Sequence, residues 1–167
     1  MAKRWSKLKK EIESLFEPEL RLDLHCVDVN RSIDAKNGNS GEGLSMLSLG
    51  NYFVNLNQET IWNFPKDFKE PSFEKWPDGN PWKYSVSEIN LLVRDYIDTP
   101  KDKLLNQEFE EDLFGLTKIL LAADRRISMN KLQDYFKQNP NECGLKVLNQ
   151  RASNKSSNTD AASSAGS

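Results

Sequence analysis

Histidine occurs once in this chain, at position 25, and cysteine only twice, at 26 and 143. A centre built from imidazole and thiolate needs three or four donors. Neighbouring strand residues such as His25 and Cys26 point to opposite faces and do not readily share one ion. The two cysteines are far apart and form no CxxC pattern, which fits small semi-buried thiols in a reducing compartment. No apolar run approaches the ~18 residues of a membrane span. The basic N-terminus lacks the apolar core of a secretory signal. Together these absences point to the cytoplasm. A formal net charge of −2 gives no global basic field to draw in nucleic acid or membrane. HExxH, GxSxG and paired-carboxylate motifs are missing, and GNSGEG at 38–43 lacks the spacing of a phosphate-binding loop. No metal or cofactor is expected.

The charge that is present is segregated. Lys3, Arg4, Lys7, Lys9 and Lys10 open the chain, and Glu11, Glu13, Glu17 and Glu19 follow at once. At 167 residues the chain suits one domain with a sizeable core. That domain is expected over 1–151. Residues 152–167 are Ser, Asn and Ala without a large apolar side chain, and read as a disordered tail.

The stretch Glu108–Arg126 is the most apolar long run. Its spacing predicts one long helix, mostly buried, at the centre of the fold. Acids at 108 and 110–112 and the bases Lys118, Arg125 and Arg126 suit the two ends of a helix dipole. Trp5, Leu8, Ile12, Leu15 and Phe16 predict a first helix over 3–16, ended by Pro18. Residues 21–30 read as a strand. Its apolar parity switches after Cys26, implying a bulge there or burial on both faces. Residues 32–43 read as a surface loop, 44–49 as short strand or packed loop, and 52–57 with 60–64 as a hairpin joined at Gln58 and Glu59. The aromatic, Pro-rich stretch 66–84 is expected to lie across the core. Ser85 with Glu88 forms a capping box for a helix ending near Thr99. Pro100 can open a short helix, Ser128 can cap another, and Asn139-Pro140-Asn141-Glu142, with Asn139 as cap, Pro140 at N1 and Glu142 at N3, can start the last, which is expected to run to about Arg151. A helix, a small antiparallel sheet and a helical C-terminal half make an α+β fold.

Four phrases carry a resemblance: RWSKLKKEIESLF at 4–16, the His25-Cys26 pair, ETIWNFPKDF at 59–68 and DLFGLTKILLAADRRIS at 112–128. They resemble a group of small bacterial cytoplasmic proteins without a settled activity. The resemblance spans roughly residues 3–151. It implies a bacterial, single-domain, cytoplasmic protein and carries over no catalytic residues.

Few residues compete for a functional role. His25 with Cys143, near a helix start, would make a nucleophile pair; a structural histidine is the simpler reading. Arg125 and Arg126, just before a helix start at Ser128, can form an anion site, or one of them can be bonded to Asp124 or to a carboxylate such as Glu88 to hold a helix corner. Arg4, Lys7 and Lys10 along the first helix can contact phosphate, although the acids that follow break the field. Trp76 and Trp82 are the tryptophans expected at the surface, where they would suit a protein interface. The leading expectation is a non-enzymatic protein-binding module, in its narrower form an immunity-type inhibitor of a bacterial toxin. The alternative is a nucleic-acid or phosphate-ligand binder that uses the first helix and Arg125/Arg126.

Overall fold

The computed structural model describes residues 5–32, 46–64, 86–109 and 115–164. Helix α1 (Trp5–Glu13) precedes strands β1 (Leu22–Ser32), β2 (Met46–Leu56) and β3 (Glu59–Phe64). Helices α2 (Val86–Asp98), α3 (Leu116–Ala123), α4 (Met129–Gln138) and α5 (Glu142–Ser164) follow, with a short 3₁₀ turn at Leu104–Asn106. The fold is α+β, as the element order implies.

The sheet is antiparallel in the order β1-β2-β3. β1 pairs with β2 without a break from Leu22↔Leu56 to Ser32↔Met46. Of the two readings of the parity switch at Cys26, the bulge is therefore excluded, and the burial of the strand beyond Cys26 lies outside the described residues. The irregularity lies on the other side of β2, between Val54 and Asn55 opposite β3. The hairpin turn is Asn57-Gln58, one residue earlier than expected, with φ of 52° and 71°. Two positive φ angles define the turn whose twist matches the flanking strands, and Asn tolerates that conformation better than most residues. The residues at 44–49 that left strand and loop open join β2 from Met46 onward.

One sheet face is buried: Leu22 and Leu24, Tyr52, Val54 and Leu56, Trp62 and Phe64. Leu8 and Ile12 of α1 and Ile89, Leu92 and Val93 of α2 share its core. Trp5 meets Tyr52 edge-on at 5.3 Å, and the Tyr52 hydroxyl donates to Asn90 Oδ1 at 3.2 Å.

The central helix is much shorter than its apolar pattern suggests. α3 covers only Leu116–Ala123, and every residue but Lys118 is buried. Gly115 takes a left-handed conformation at its start (φ 76°), and Gln107–Phe109 are irregular. At the other end Asp124 leaves the helix with extended backbone (ψ 111°). Two competing interactions stop the helix there. The chain at Leu15–Glu17 docks alongside: Arg125 N–H donates to Leu15 O at 2.8 Å, and Glu17 N–H donates to Ala123 O at 2.9 Å. The Asp124 carboxylate also captures the N–H of Arg126 at 2.9 Å, the local bond by which Asp favours turns over helices. The same docking ends α1 at Glu13 rather than Phe16, and Phe16 forms an isolated bridge with Asp124. Glu108, Arg125 and Arg126 thus lie outside α3, and the helix-dipole reading of their charges does not hold.

α5 packs along α3 and α4. Asn141 Oδ1 accepts from Gly144 N–H at 2.8 Å, so Asn141 caps α5 in place of the expected Asn139, which instead closes α4. Ser128 stands at the N-cap position of α4 without a side-chain cap bond. A Cβ at Gly144 would lie 2.6 Å from the Phe136 ring, so glycine here permits the α4–α5 contact. The expected disordered tail is helical through Ser164. Its anchors are polar rather than apolar. Asn154 Nδ2 donates to Glu19 O, Asn158 Nδ2 donates to the Glu19 carboxylate, and Ser156, Ser157 and Thr159 donate to carbonyls four residues back. Most of loop 32–43, the cover at 66–84 and the Ser85 cap lie outside the described residues.

Candidate functional site

The interior of the helical half holds an ionic junction. Asp124 is fully buried, and its carboxylate faces Arg126 as a fork: Nε at 3.0 Å from Oδ1 and Nη2 at 2.7 Å from Oδ2. The hydroxyl of buried Tyr96 donates to Oδ2 at 2.9 Å. Burial first, and then the Asp124 charge, push the Tyr96 phenol well above its ordinary value of 10.0. The hydrogen bond to Asp124 likewise holds the Arg126 guanidinium above its ordinary value. Beside this pair stands Arg151, 2% exposed, reaching from α5. It donates to the carbonyls of Asp124 (3.0 Å) and Ile127 (2.9 Å) and pairs with Glu17 at 2.8 Å. Two cations and two carboxylates hold α3, α5 and the end of α1 together. A buried cation needs such partners, because its desolvation is otherwise uncompensated.

The junction includes Arg126 and leaves Arg125 outside it. Arg126 takes its carboxylate from Asp124 within the fold. Arg125 is exposed, and among the described residues its side chain has no partner. Lys7 and Lys10 are exposed on α1, while Lys9 between them pairs with Glu13 at 3.6 Å. Arg4, Trp76 and Trp82 lie outside the described residues. His25 stacks on Phe53 with ring centroids 4.7 Å apart, and Cys143 Sγ donates to the Ile61 carbonyl on β3. These are structural contacts for both members of the nucleophile pair considered from sequence. Among the described residues no group of three or more His, Cys, Asp or Glu is placed to hold a metal ion, and no helix is long and apolar enough to cross a membrane.

Sequence reading passed over two features. One is Arg151, which falls on the same α5 face as buried Val147 and Leu148; an arginine four residues beyond one apolar position and three beyond the next was the available signal. The other is a cleft of ≈ 750 Å³ between residues 105–109, α3 and α4. Leu104, 1% exposed, and Phe109, stacked on Tyr96 at 5.9 Å, fix residues 104–109 as one wall. Lys118, the single α3 residue that is not buried, enters from the second wall. Its ammonium donates to the Tyr135 hydroxyl of α4 and stands 4.7 Å from that ring's centroid. Glu108, Lys131, Asp134, Gln107, Gln138 and Asn139 complete a polar lining of both charge signs. No protein-family model, no curated protein and no solved structure matches the chain.

Proposed function

We propose that the protein is a non-enzymatic protein-binding module acting in the cytoplasm. The character of the cleft beside α3 and α4 carries this reading. It is open, and polar and charged side chains of both signs dominate its lining. Small-molecule sites are enclosed and mostly apolar, whereas the contact surfaces of proteins that meet and part are wet and of mixed polarity. The walls are stiff. α3 is buried over most of its length and tied to α5 and α1 through the Asp124 and Arg151 junction. A preorganised surface loses less entropy on binding than a mobile one.

The alternative, a nucleic-acid or phosphate-ligand binder, is weakened because Arg126 is bound to Asp124. It retains Arg125, Lys7 and Lys10, which are exposed. An immunity-type inhibitor of a bacterial toxin is the narrower form of the module reading. The test is affinity capture of the tagged full chain from its native cell at near-physiological salt. A stoichiometric protein partner, reduced by Lys131→Glu at the rim of the cleft, is the expected result. Repeated captures without a partner, alongside salt-sensitive retention of nucleic acid, would favour the alternative.

A further inference from the structure

Lys118 is the one charged side chain of α3, half-buried at the base of the cleft. Its bonding partner is the Tyr135 hydroxyl, a neutral group. Among the described residues no carboxylate lies within ion-pair distance of its ammonium. The nearby Asp134 is already paired with Lys137 at 3.2 Å. Cations drawn out of bulk water are ordinarily matched by a counter-charge, since the interior strengthens attraction and penalises isolation alike. Lys9, Lys137 and Lys146 each have a carboxylate, whereas Lys118 has a phenol and open space in front of it.

We infer that the cleft receives an acidic side chain of the partner protein, with Lys118 as its counter-charge. This rests on the protein-binding reading and names the chemistry recognised. The Lys118 ammonium has three N–H donors and gives one to Tyr135, while the Tyr135 hydroxyl keeps its own proton to donate. A carboxylate entering the cleft can therefore accept from both. Gln107 and Gln138 on the two walls supply donors and acceptors for the adjoining backbone. The lining favours a carboxylate over a phosphate. A phosphate carries nearly two charges and is best held by arginine forks or clustered backbone N–H groups. Here it would meet no arginine, only half-buried Lys118 and exposed Lys131, with Glu108 and Asp134 on the rim. Those acids suit a polypeptide whose acidic residue is flanked by a base.

The test is an NMR titration of the full chain, following the Tyr135 ring and the amides of α3 and α4. The probes are an acetylated Gly-Lys-Glu-Gly peptide, sodium acetate and inorganic phosphate. Saturable shifts at Tyr135 are expected with the peptide, weakened about tenfold or more by Lys118→Met and largely kept by Lys118→Arg. Unchanged far-ultraviolet dichroism shows that each variant is folded. Absence of any saturable shift with the peptide overturns the inference, as does tighter binding of phosphate than of peptide. Glu110, Glu111 and Asp112 lie shortly before Lys118 in sequence. A shift seen only in the triple variant E110Q/E111Q/D112N would make the chain's own acids the occupant, and would also overturn it. Capture of a partner equally well by wild type and Lys118→Met would leave the module reading standing and remove this site from it.

Discussion

Single side chains decide much of the stability of the helical half, and Asp124 does most. It accepts from Arg126, from the Arg126 backbone and from Tyr96. Asp124→Asn removes the charge and leaves the guanidinium without its carboxylate. Arg126 is 24% exposed and can turn toward water, so the expected cost is about 3 kcal/mol, at the lower end for a buried pair, read from chemical denaturation. Tyr96 gives a second, pH-dependent measurement. Its native-state pKa is raised, whereas the unfolded phenol ionises near 10. The stability it contributes is full below pH 10 and falls as pH rises toward the native value. The expected slope is about −1.4 kcal/mol per pH unit for this one group. Tyr96→Phe should cost about 1 kcal/mol near neutrality, because Arg126 still satisfies Asp124, and should remove that share of the alkaline slope. Denaturation midpoints compared between about pH 9 and 11 would check both statements. An unaltered slope would show that Tyr96 titrates like an exposed phenol.

At the scale of elements, two positions where glycine is weighed against a side chain make opposite predictions. Gly144 lets the first turn of α5 lie against Phe136. Gly144→Ala would ordinarily gain about 1 kcal/mol in a helix interior. Here the new methyl would stand 2.6 and 2.8 Å from the Phe136 ring and 3.1 Å from the Lys118 carbonyl. Overpacking should win, with a net loss of about 1–2 kcal/mol and a lower melting temperature. The hairpin turn is the converse case. Gln58 holds φ at 71°, where a side chain is strained and glycine is at ease. Gln58→Gly creates the Asn-Gly pair favoured in this turn and should stabilise by about 0.5–1 kcal/mol. An unchanged or lower midpoint would show that Gln58 is held by contacts rather than strained.

For the molecule as a whole, α5 is two segments with different roles. Through Arg151 it is part of the core, carrying Val147, Leu148 and the buried guanidinium. Beyond Lys155 its residues to Asp160 are exposed, and Asn158 is tied back to Glu19. A chain ending at Lys155 should keep its fold, with a loss below about 1 kcal/mol. One ending at Gln150 strands Glu17 and the carbonyls that Arg151 satisfies, and should lose about 3–5 kcal/mol or fail to fold. Thermal melts of the two chains, followed by circular dichroism, separate these outcomes. Equal melting temperatures would mean that Arg151 is dispensable to the junction.

Local pattern was sufficient for the class of the fold and for most of its elements. The stripe Leu8 and Ile12, the alternation Leu22 and Leu24, and the hairpin around Asn57-Gln58 each follow from neighbours within a few residues. The α3 termini do not. An apolar run has the same period wherever a helix within it stops, and the C-terminal end of α3 is set by Leu15–Glu17 docking from about a hundred residues away. Polarity misleads at the C-terminus for a related reason: a segment without apolar side chains can still be helical when it extends a helix already nucleated in the core and finds Glu19 at its side. In the site, the sequence singled out Asp124-Arg125-Arg126 and posed a choice between ligand and internal pairing. Only the buried carboxylate, 2.7 Å from Arg126, gives that arginine an internal partner, and Arg125 stays exposed. Lys118 was visible only as one base within an apolar helix. Its half-buried position opposite Tyr135 is created where α3 and α4 both pack on α5, a tertiary arrangement that no local pattern specifies.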